Sequence, residues 1–204
     1  MSDPPAMDPR TDAAVIEDSG RRPETFALLY DRHAADIHRY VARRLGAGVA
    51  DDVTAETFLI AFRHRARYDP ERGSARPWLY GIAANLIGRH RRHEVRALRA
   101  LARTGADPVA DSWTDWVDGA DSRVTAQAAS GPLADALAGL SAGDRHVLLL
   151  VAWADLTYQE VADALGIPVG TVRSRLNRAR RKVRTALGGD PTLAGDIVEV
   201  PSHG

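Results

Sequence analysis

Residues 168–187 combine one apolar stripe with an unmixed cationic surface, and this pattern constrains the fold more than any other feature of the chain. The apolar positions repeat at i, i+4, i+7, i+11 and i+15, which is the spacing of one buried helix face. The members of this stripe are Val172, Leu176, Ala179, Val183 and Leu187. The same segment holds seven cations and no acid. We therefore expect a helix that is buried on one side and positively charged on the other.

Signals just upstream predict a shorter helix joined to this one by a tight turn. Thr157 and Glu160 stand three apart, as in a capping box that starts a helix. Gly166 supplies the permissive residue that a sharp turn needs, and Pro168 suits the first turn of the next helix. Two helices joined in this way form a helix-turn-helix, whose second helix enters the DNA major groove. An ordinary helical hairpin could share this spacing, but the unmixed cationic face favours DNA binding.

The polar side of the second helix is predicted to read DNA. Arg and Asn side chains can form paired hydrogen bonds with base edges. The predicted reading residues are Arg173, Ser174, Asn177, Arg178 and Arg181. Because 26 of the 27 cations in the chain are Arg, their abundance alone is weak evidence for phosphate binding. The polar edge formed by Ser174 and Asn177 is the sharper signal.

Composition bounds the location and the chemistry of the chain. The net charge is zero, with 27 cations and 27 acids, but the cations concentrate in residues 85–103 and 168–187. Such patches attract phosphate whatever the total charge. There is no Cys, no apolar run of about 20 residues that could span a bilayer, and no apolar signal-peptide core near the N-terminus. We expect a cytoplasmic protein that does not bind membranes.

Helical periodicity recurs along the chain, and no segment alternates with the two-residue period of a strand. Apolar residues keep helical spacing from Glu24 to Leu45, from about Asp51 to Arg67, and from about Ala75 to Arg99. The predicted fold is all-α, with two small helical domains joined by a flexible linker. The predicted segments are a disordered tail at 1–22, a first domain at 23–100, a linker at 101–131, a second domain at 132–187 and a tail at 188–204.

The third predicted helix carries a possible surface for single-stranded DNA. Trp78, Asn85, Arg89 and Arg92 line up at helical spacing, opposite a face of apolar residues. Aromatic rings stack on unpaired bases while arginines hold the backbone. The alternative, in which Trp78 belongs to the core and the arginines are simply solvated, stays equally open on this pattern alone.

Four motifs together resemble one bacterial family. They are DDVTAETFLIAF at 51–62, WLYGIAAN at 78–85, LTYQEVA at 156–162 and GTVRSRL at 170–176. In this order they are similar to the extracytoplasmic-function (ECF) group of RNA polymerase sigma factors, over about 24–99 and 133–187. The resemblance implies a sigma-2 domain that binds the core polymerase clamp and opens the −10 element, and a sigma-4 domain that reads the −35 element.

The resemblance also implies roles for individual residues. Clamp binding falls on Asp51, Asp52, Glu56 and Thr57. Strand opening falls on Trp78, Asn85, Arg89 and Arg92, and −35 reading on the polar edge of the helix-turn-helix. The implied partners are core RNA polymerase and promoter DNA, double-stranded at −35 and single-stranded at −10. An anti-sigma protein is a further partner that the resemblance leaves open.

Two other classes of function compete with this interpretation. A helix-turn-helix regulator would bind palindromic DNA as a dimer and would not need polymerase. A nucleic-acid enzyme would need a metal site or a nucleophile, and the sequence offers neither in a convincing arrangement. His90 and His93 stand three apart, but the neighbouring arginines repel a metal ion. We therefore predict no catalytic residues, no metal and no cofactor.

Overall fold

Helices form the regular secondary structure of residues 9–104 and 131–188, which are the parts of the chain described by the computed structural model. In chain order the α-helices are α1 (Asp12–Asp18), α2 (Ala27–Leu45), α3 (Ala47–His64), α4 (Arg76–Arg89), α5 (Arg91–Thr104), α6 (residues 131–139), α7 (Ala142–Ala154), α8 (Tyr158–Leu165) and α9 (Val169–Ala186). Short 3-10 turns occupy Pro23–Phe26, Arg65–Arg67 and Pro70–Arg72. The predicted all-α fold with two helical regions is confirmed. We call residues 9–104 the first unit and residues 131–188 the second unit.

The first unit is built on the packing of α2 against α3, with α4 lying against both. Gly46 ends α2 at a φ of 87°, a backbone conformation that favours glycine. The first predicted helix therefore ends at Leu45, where its helical spacing was predicted to stop, and Gly48 lies inside α3. That helix starts at Ala47 rather than near Asp51, because the chain re-enters helical geometry immediately after the single Gly46 residue.

A helix in the N-terminal segment replaces part of the predicted disordered tail. Thr11 caps α1 by accepting a hydrogen bond from the Ala14 amide, and Val15 and Ile16 are buried against the first unit. Asp12 ties this helix down through Arg32, His33 and the amide of Ala75. The prediction of disorder over 1–22 was wrong for residues 9–22, since two apolar residues and one paired acid suffice to dock α1.

Those contacts change the acidity of Asp12. Its carboxylate lies 3.0 Å from Arg32 Nη1 and 2.8 Å from His33 Nε2, and it accepts a hydrogen bond of 3.0 Å from the Ala75 amide. Burial alone would raise the pKa of Asp12, but the contacts with His33, Ala75 and Arg32 outweigh it and lower that pKa to about 2. The ionised form of Asp12 is thus the one that holds α1 in place.

The predicted third helix is two helices rather than one. It ends at Arg89, and His90 is its C-cap, with an amide that donates to Ile87 O at 2.9 Å. The chain then restarts as α5 at Arg91. The sequence expectation of one helix from 75 to 99 was wrong because apolar spacing continues through the break. Arg92 therefore belongs to a different helix from Asn85 and Arg89.

Two helices of the second unit begin at capping side chains. Ser141 caps α7 by accepting a hydrogen bond of 3.2 Å from the Asp144 amide. Thr157 and Glu160 form the predicted capping box at the start of α8. These helices pack around a core that continues into the first unit, because the buried apolar residues of both units form one cluster.

The two units meet most closely where α4 packs along α8. Gly81 of α4 lies so near this neighbour that a Cβ added there would stand 2.3 Å from the carbonyl oxygen of Ala164. Only a residue without a side chain allows such an approach. The sequence predicts two domains joined by a flexible linker, and no local pattern in it indicates this packing.

A buried group of charges also crosses between the units. Glu94 of α5 accepts hydrogen bonds from Arg44 of α2 and from Arg145 of α7, and these three side chains are almost completely buried. The distance from Arg145 Nη1 to Glu94 Oε2 is 2.6 Å. Arg44 also donates to the Tyr40 hydroxyl at 2.8 Å. Burial alone would lower the pKa of Arg44, but Tyr40 and Glu94 outweigh it and raise that pKa, which keeps the arginine charged.

Arg145 is anchored within its own unit as well. Its guanidinium donates to Leu137 O at 2.7 Å, to Ala138 O at 3.1 Å and to Leu140 O at 2.8 Å. These carbonyls lie at the C-terminal end of α6, where helix carbonyls lack partners within the helix. Arg145 therefore closes the end of α6 and reaches across to Glu94 at the same time.

Most of the predicted linker and tails lies outside the described residues. Residues 1–8, 105–130 and 189–204, which include Trp113 and Trp116, belong to this part. Within the described ranges, no helix is both long and apolar enough to cross a bilayer.

Candidate nucleic-acid interface

The turn between α8 and α9 fixes the angle at which the second helix leaves the first. Gly166 ends α8 in the left-handed conformation, at φ 62° and ψ 39°, where an ordinary side chain would be strained. The amide of Ile167 then donates to Ala162 O at 3.0 Å. Pro168, in an extended conformation, is the N-cap of α9. The geometry is that of a helix-turn-helix, as the local sequence signals predicted.

The apolar stripe of α9 is buried as expected, except for Leu187, which is the C-cap of the helix and is only partly buried. Val172, Leu176, Ala179 and Val183 have almost no exposed surface, and each fully buried Val or Leu contributes about 1.5–3 kcal/mol to stability. The predicted reading residues Arg173, Ser174, Asn177, Arg178 and Arg181 are all exposed on the other side. Four of them, from Ser174 to Arg181, line one shallow depression.

Two side chains of this row have fixed partners. The Ser174 hydroxyl donates to Thr171 O at 3.0 Å, so it is hydrogen-bonded to the preceding turn of its own helix. Arg178 Nε lies 3.2 Å from Asp144 Oδ1, on the first turn of α7. In the described part of the chain, Arg173 and Arg181 have no ion-pair partner. The row therefore presents one arginine held in place and two that extend freely into solvent.

The predicted strand-opening residues form a less regular surface. Asn85 and Arg89 are exposed on α4, and Arg92 is exposed on the first turn of α5. Trp78 is half-buried rather than exposed, because its ring packs on Tyr68 with 5.1 Å between ring centroids. Of the two alternatives that the sequence left open for Trp78, an outward ring and a core ring, the structure shows an intermediate: the ring is partly exposed, while Asn85 and Arg89 face outward.

The predicted clamp-binding residues lie along α3, with one exception. Asp51 and Asp52 are exposed, and Glu56 is partly exposed and lies 3.5 Å from Arg89 Nη1. Thr57 is fully buried and donates its hydroxyl hydrogen to Val53 O at 2.7 Å. The predicted contact of Thr57 with polymerase does not fit this position, because the side chain faces the core of the first unit.

The sequence analysis missed two residues next to these surfaces. Leu59 is 46% exposed and follows Asp52 and Glu56 at helical spacing, so a helical wheel of α3 could have identified it. Asp144 is buried and touches Arg178 from another helix. No local pattern links those two positions, because they are brought together only by the packing of α7 on α9.

Arginines dominate the outer face of α5 as well. The exposed arginines are Arg91, Arg92, Arg96, Arg99 and Arg103, and the acid of this helix, Glu94, is turned inward. His90 and His93 stack edge to face, with 5.9 Å between their ring centroids. Among the described residues, no group of three or more His, Asp or Glu is placed to hold a metal ion. This face offers positive charge to a phosphate backbone.

The amino-acid sequence matches two family profiles in the order that the motifs suggested. The profile described as Sigma-70 region 2 matches residues 29–103, and the profile described as Sigma-70, region 4 matches residues 130–183. The ECF RNA polymerase sigma factor SigL of Mycobacterium tuberculosis is 37% identical over 161 residues, which cover 78% of this chain and 86% of SigL. SigK of Mycolicibacterium vanbaalenii, also an ECF sigma factor, is 31% identical over 188 residues, covering 90% of this chain and 92% of SigK.

The fold is also similar to solved structures. CnrH, solved in complex with the cytosolic domain of CnrY, has a TM-score of 0.59 at 23% identity, covering 89% of this chain and 99% of CnrH. The sigma factor RpoE of Bartonella quintana, solved with the anti-sigma factor NepR, has a TM-score of 0.53 at 19% identity, covering 81% and 98%. The family that the motifs resemble is thus confirmed by profile and by relatives. This chain belongs to the ECF group of bacterial RNA polymerase sigma factors.

Proposed function

We propose that this chain joins core RNA polymerase and directs it to promoters, with α9 reading the −35 element. The observation that carries the proposal is the exposed row of α9, from Arg173 to Arg181, backed by a buried apolar stripe. Base edges in the major groove are read by Arg, Asn and Ser side chains presented from one helix face. The remaining arginines of α9 supply phosphate contacts that position the helix.

The first unit is proposed to open and hold the −10 element. Asn85, Arg89 and Arg92 offer hydrogen-bond donors and positive charge beside the exposed part of Trp78. Stacking of one base on an aromatic ring is worth about 1–3 kcal/mol, which offsets part of the cost of unpairing it. The support of Tyr68 behind the Trp78 ring favours this role, because a fixed ring loses less conformational freedom when a base binds.

The polymerase contact is proposed to lie on α3. Asp51, Asp52 and Glu56 supply exposed carboxylates, and Leu59 adds an exposed apolar side chain on the same helix face. An apolar residue surrounded by charged ones is typical of the energetic centre of a protein interface. This surface replaces the predicted set that included Thr57.

The chain is proposed to act without covalent chemistry of its own, in the cytoplasm where polymerase and chromosomal DNA meet. An anti-sigma protein is a proposed further partner. The support is that CnrH and RpoE, whose folds this chain shares, were each solved with a bound protein, CnrY and the anti-sigma factor NepR respectively.

Run-off transcription tests the proposed function directly. Core RNA polymerase from the same bacterium is mixed with the full chain and a pool of DNA fragments from its genome, and the 5′ ends of the transcripts are sequenced. Discrete start sites that need both proteins are expected, with a shared −35 sequence upstream. Core polymerase alone and the chain alone are the controls. Tight binding to palindromic DNA without polymerase, and no discrete start sites with it, would instead favour the dimeric regulator.

A further inference from the structure

Asp144 is a buried carboxylate that touches the DNA-reading helix from behind. It lies on the first turn of α7, and its side chain is only 6% exposed. Its Oδ1 is 3.2 Å from Nε of Arg178, whose side chain is 48% exposed on α9. The pair therefore joins a residue of the core to a residue of the predicted reading row.

The burial of Asp144 explains why its carboxylate needs Arg178 as a partner. A carboxylate removed from water needs a charged or hydrogen-bonding partner. Its position in the first turn of α7 is favourable because the positive end of the helix dipole lies there. Arg178 is the ion-pair partner of Asp144. Because Asp144 is buried and Arg178 is exposed, the carboxylate restricts the motion of the arginine side chain.

The neighbouring residue, Gly143, leaves space for a second arginine of α9 at the same turn of α7. Gly143 has no side chain, and a Cβ added there would stand 2.8 Å from Nη1 of Arg175. Arg175 and Arg178 of α9 thus both pass over the first turn of α7. The missing side chain at Gly143 leaves room for the Arg175 guanidinium beside the turn that carries Asp144.

The guanidinium group of Arg178 keeps donors for a ligand after it has met Asp144. Arginine carries five N–H donors in one plane. Nε is the guanidinium nitrogen closest to Asp144, and among the described residues the two Nη groups have no hydrogen-bond partner. Paired donors of this kind match the O6 and N7 acceptors of guanine, the commonest specific contact between an arginine and a base.

We propose that Asp144 is a positioning residue that orients Arg178 toward a guanine in the −35 element. This inference rests on the proposed function of α9. Asp144 limits the orientations that the Arg178 side chain explores, so fewer are lost when it binds a base. Arg173 and Arg181 lack such a partner among the described residues, so their side chains lose more conformational freedom than Arg178 when they bind DNA.

The test measures base preference rather than overall activity. Holoenzyme is assembled from core polymerase and the full chain, and it transcribes a promoter pool in which the −35 region is randomised and each transcript carries a barcode. The variants are R178A, D144N, D144E and the double variant D144N/R178A. D135N, an exposed acid of α6 in the same unit, controls for the change in net charge.

The expected result is a loss confined to one base position. R178A should reduce the preference for guanine there by about tenfold, the range of one bidentate contact. D144N should reduce it by about threefold at the same position, and the double variant should be no worse than R178A. D144E, which retains a carboxylate, and D135N should keep the preference. Thermal unfolding of each variant shows that it is folded.

Three outcomes would overturn the inference, and they are distinguishable from a failure of the proposed function. If R178A loses guanine preference but D144N keeps it, Asp144 does not position the arginine. If D144N lowers transcription equally on all sequences, its role is structural. If R178A changes no base preference while the wild-type protein selects a −35 sequence, the function stands but Arg178 does not read a base. If D144N does not fold, D144E becomes the test. A folded D144E protein that loses the preference for guanine would then overturn the inference.

Discussion

Arg145 of α7 and Glu94 of α5 are joined by a buried contact of 2.6 Å, although 51 residues separate them in the chain. The carboxylate of Glu94 is shared between Arg145 and Arg44, so one acid serves two buried cations. Because each cation comes from a different unit, this acid links the two units electrostatically.

Glu94→Ala should destabilise the protein by about 3–5 kcal/mol, because removing one member of a buried charge group leaves the others unpaired. Here two buried guanidinium groups would lose their shared anion. Urea unfolding of the full chain measures the change. Glu71→Ala, which removes an exposed acid, is the matched control and should change stability by less than about 0.5 kcal/mol. A loss below about 1 kcal/mol for Glu94→Ala would mean that Arg44 and Arg145 are hydrated instead.

His146 should make stability depend on pH. Burial, followed by the charges of Arg44, Arg145 and Arg175, lowers the pKa of His146 to about 3, against an ordinary value of 6.5. The folded protein therefore resists a proton that the unfolded chain accepts, so stability is full above pH 6.5 and falls as the pH drops toward 3. Between pH 7.5 and pH 5 the loss due to this residue should be about 2 kcal/mol.

Comparison of variants isolates this effect from other titrating groups. His146→Gln should flatten the pH dependence of the urea midpoint between pH 7.5 and pH 5. His64→Gln, at an exposed position, should leave the wild-type dependence in place. An identical pH dependence for wild type and His146→Gln would show that His146 accepts its proton in the folded state.

Gly81→Ala should push α4 away from α8, because the new methyl group would meet the carbonyl oxygen of Ala164 at 2.3 Å. Overpacking of this kind costs about 1–3 kcal/mol. Gly88→Ala, in the same helix but with open space around it, should instead stabilise the protein by up to about 1 kcal/mol through helix propensity. Thermal unfolding compares the two variants. A stabilised Gly81→Ala protein would indicate that the units do not stay in contact there.

Trp78→Ala should leave polymerase binding intact and impair opening of the −10 element, because it removes the ring on which a base would stack. Trp78→Phe, which keeps an aromatic ring against Tyr68, should retain more of the opening. Permanganate footprinting of unpaired thymines measures opening, and gel filtration with core polymerase measures binding. Normal footprints for Trp78→Ala would assign opening to other residues.

Local signals explain why the helix-turn-helix could be predicted in detail. The capping box at Thr157, the turn at Gly166 and the stripe through Val172 and Leu176 each act within a few residues, so the sequence carries them directly. The break between α4 and α5 at His90 carries no such signal. After this break, α5 runs in an orientation that points Glu94 inward, where it contacts Arg44 and Arg145.

The candidate sites divide in the same way. Exposure of Asn177 and Arg178 follows from helical periodicity, and so does exposure of Asp52 and Glu56. Burial of Thr57 and the contact of Asp144 with Arg178 depend on which helices pack together. The docking of α1 depends on contacts of Asp12 with Arg32 and Ala75. These residues are distant in the chain, so no local sequence pattern predicts the contacts.

The anchoring of Arg145 to α6 has a consequence for the joint between the two units. Its bonds to Leu137, Ala138 and Leu140 are internal to the second unit, and the bonds between Glu94 and Arg44 are internal to the first. If the units separated, one ion pair would be exchanged for water, and both arginines would keep partners in their own halves. Loss of the single contact between Arg145 and Glu94 would therefore leave neither arginine without a hydrogen-bond partner in its own unit.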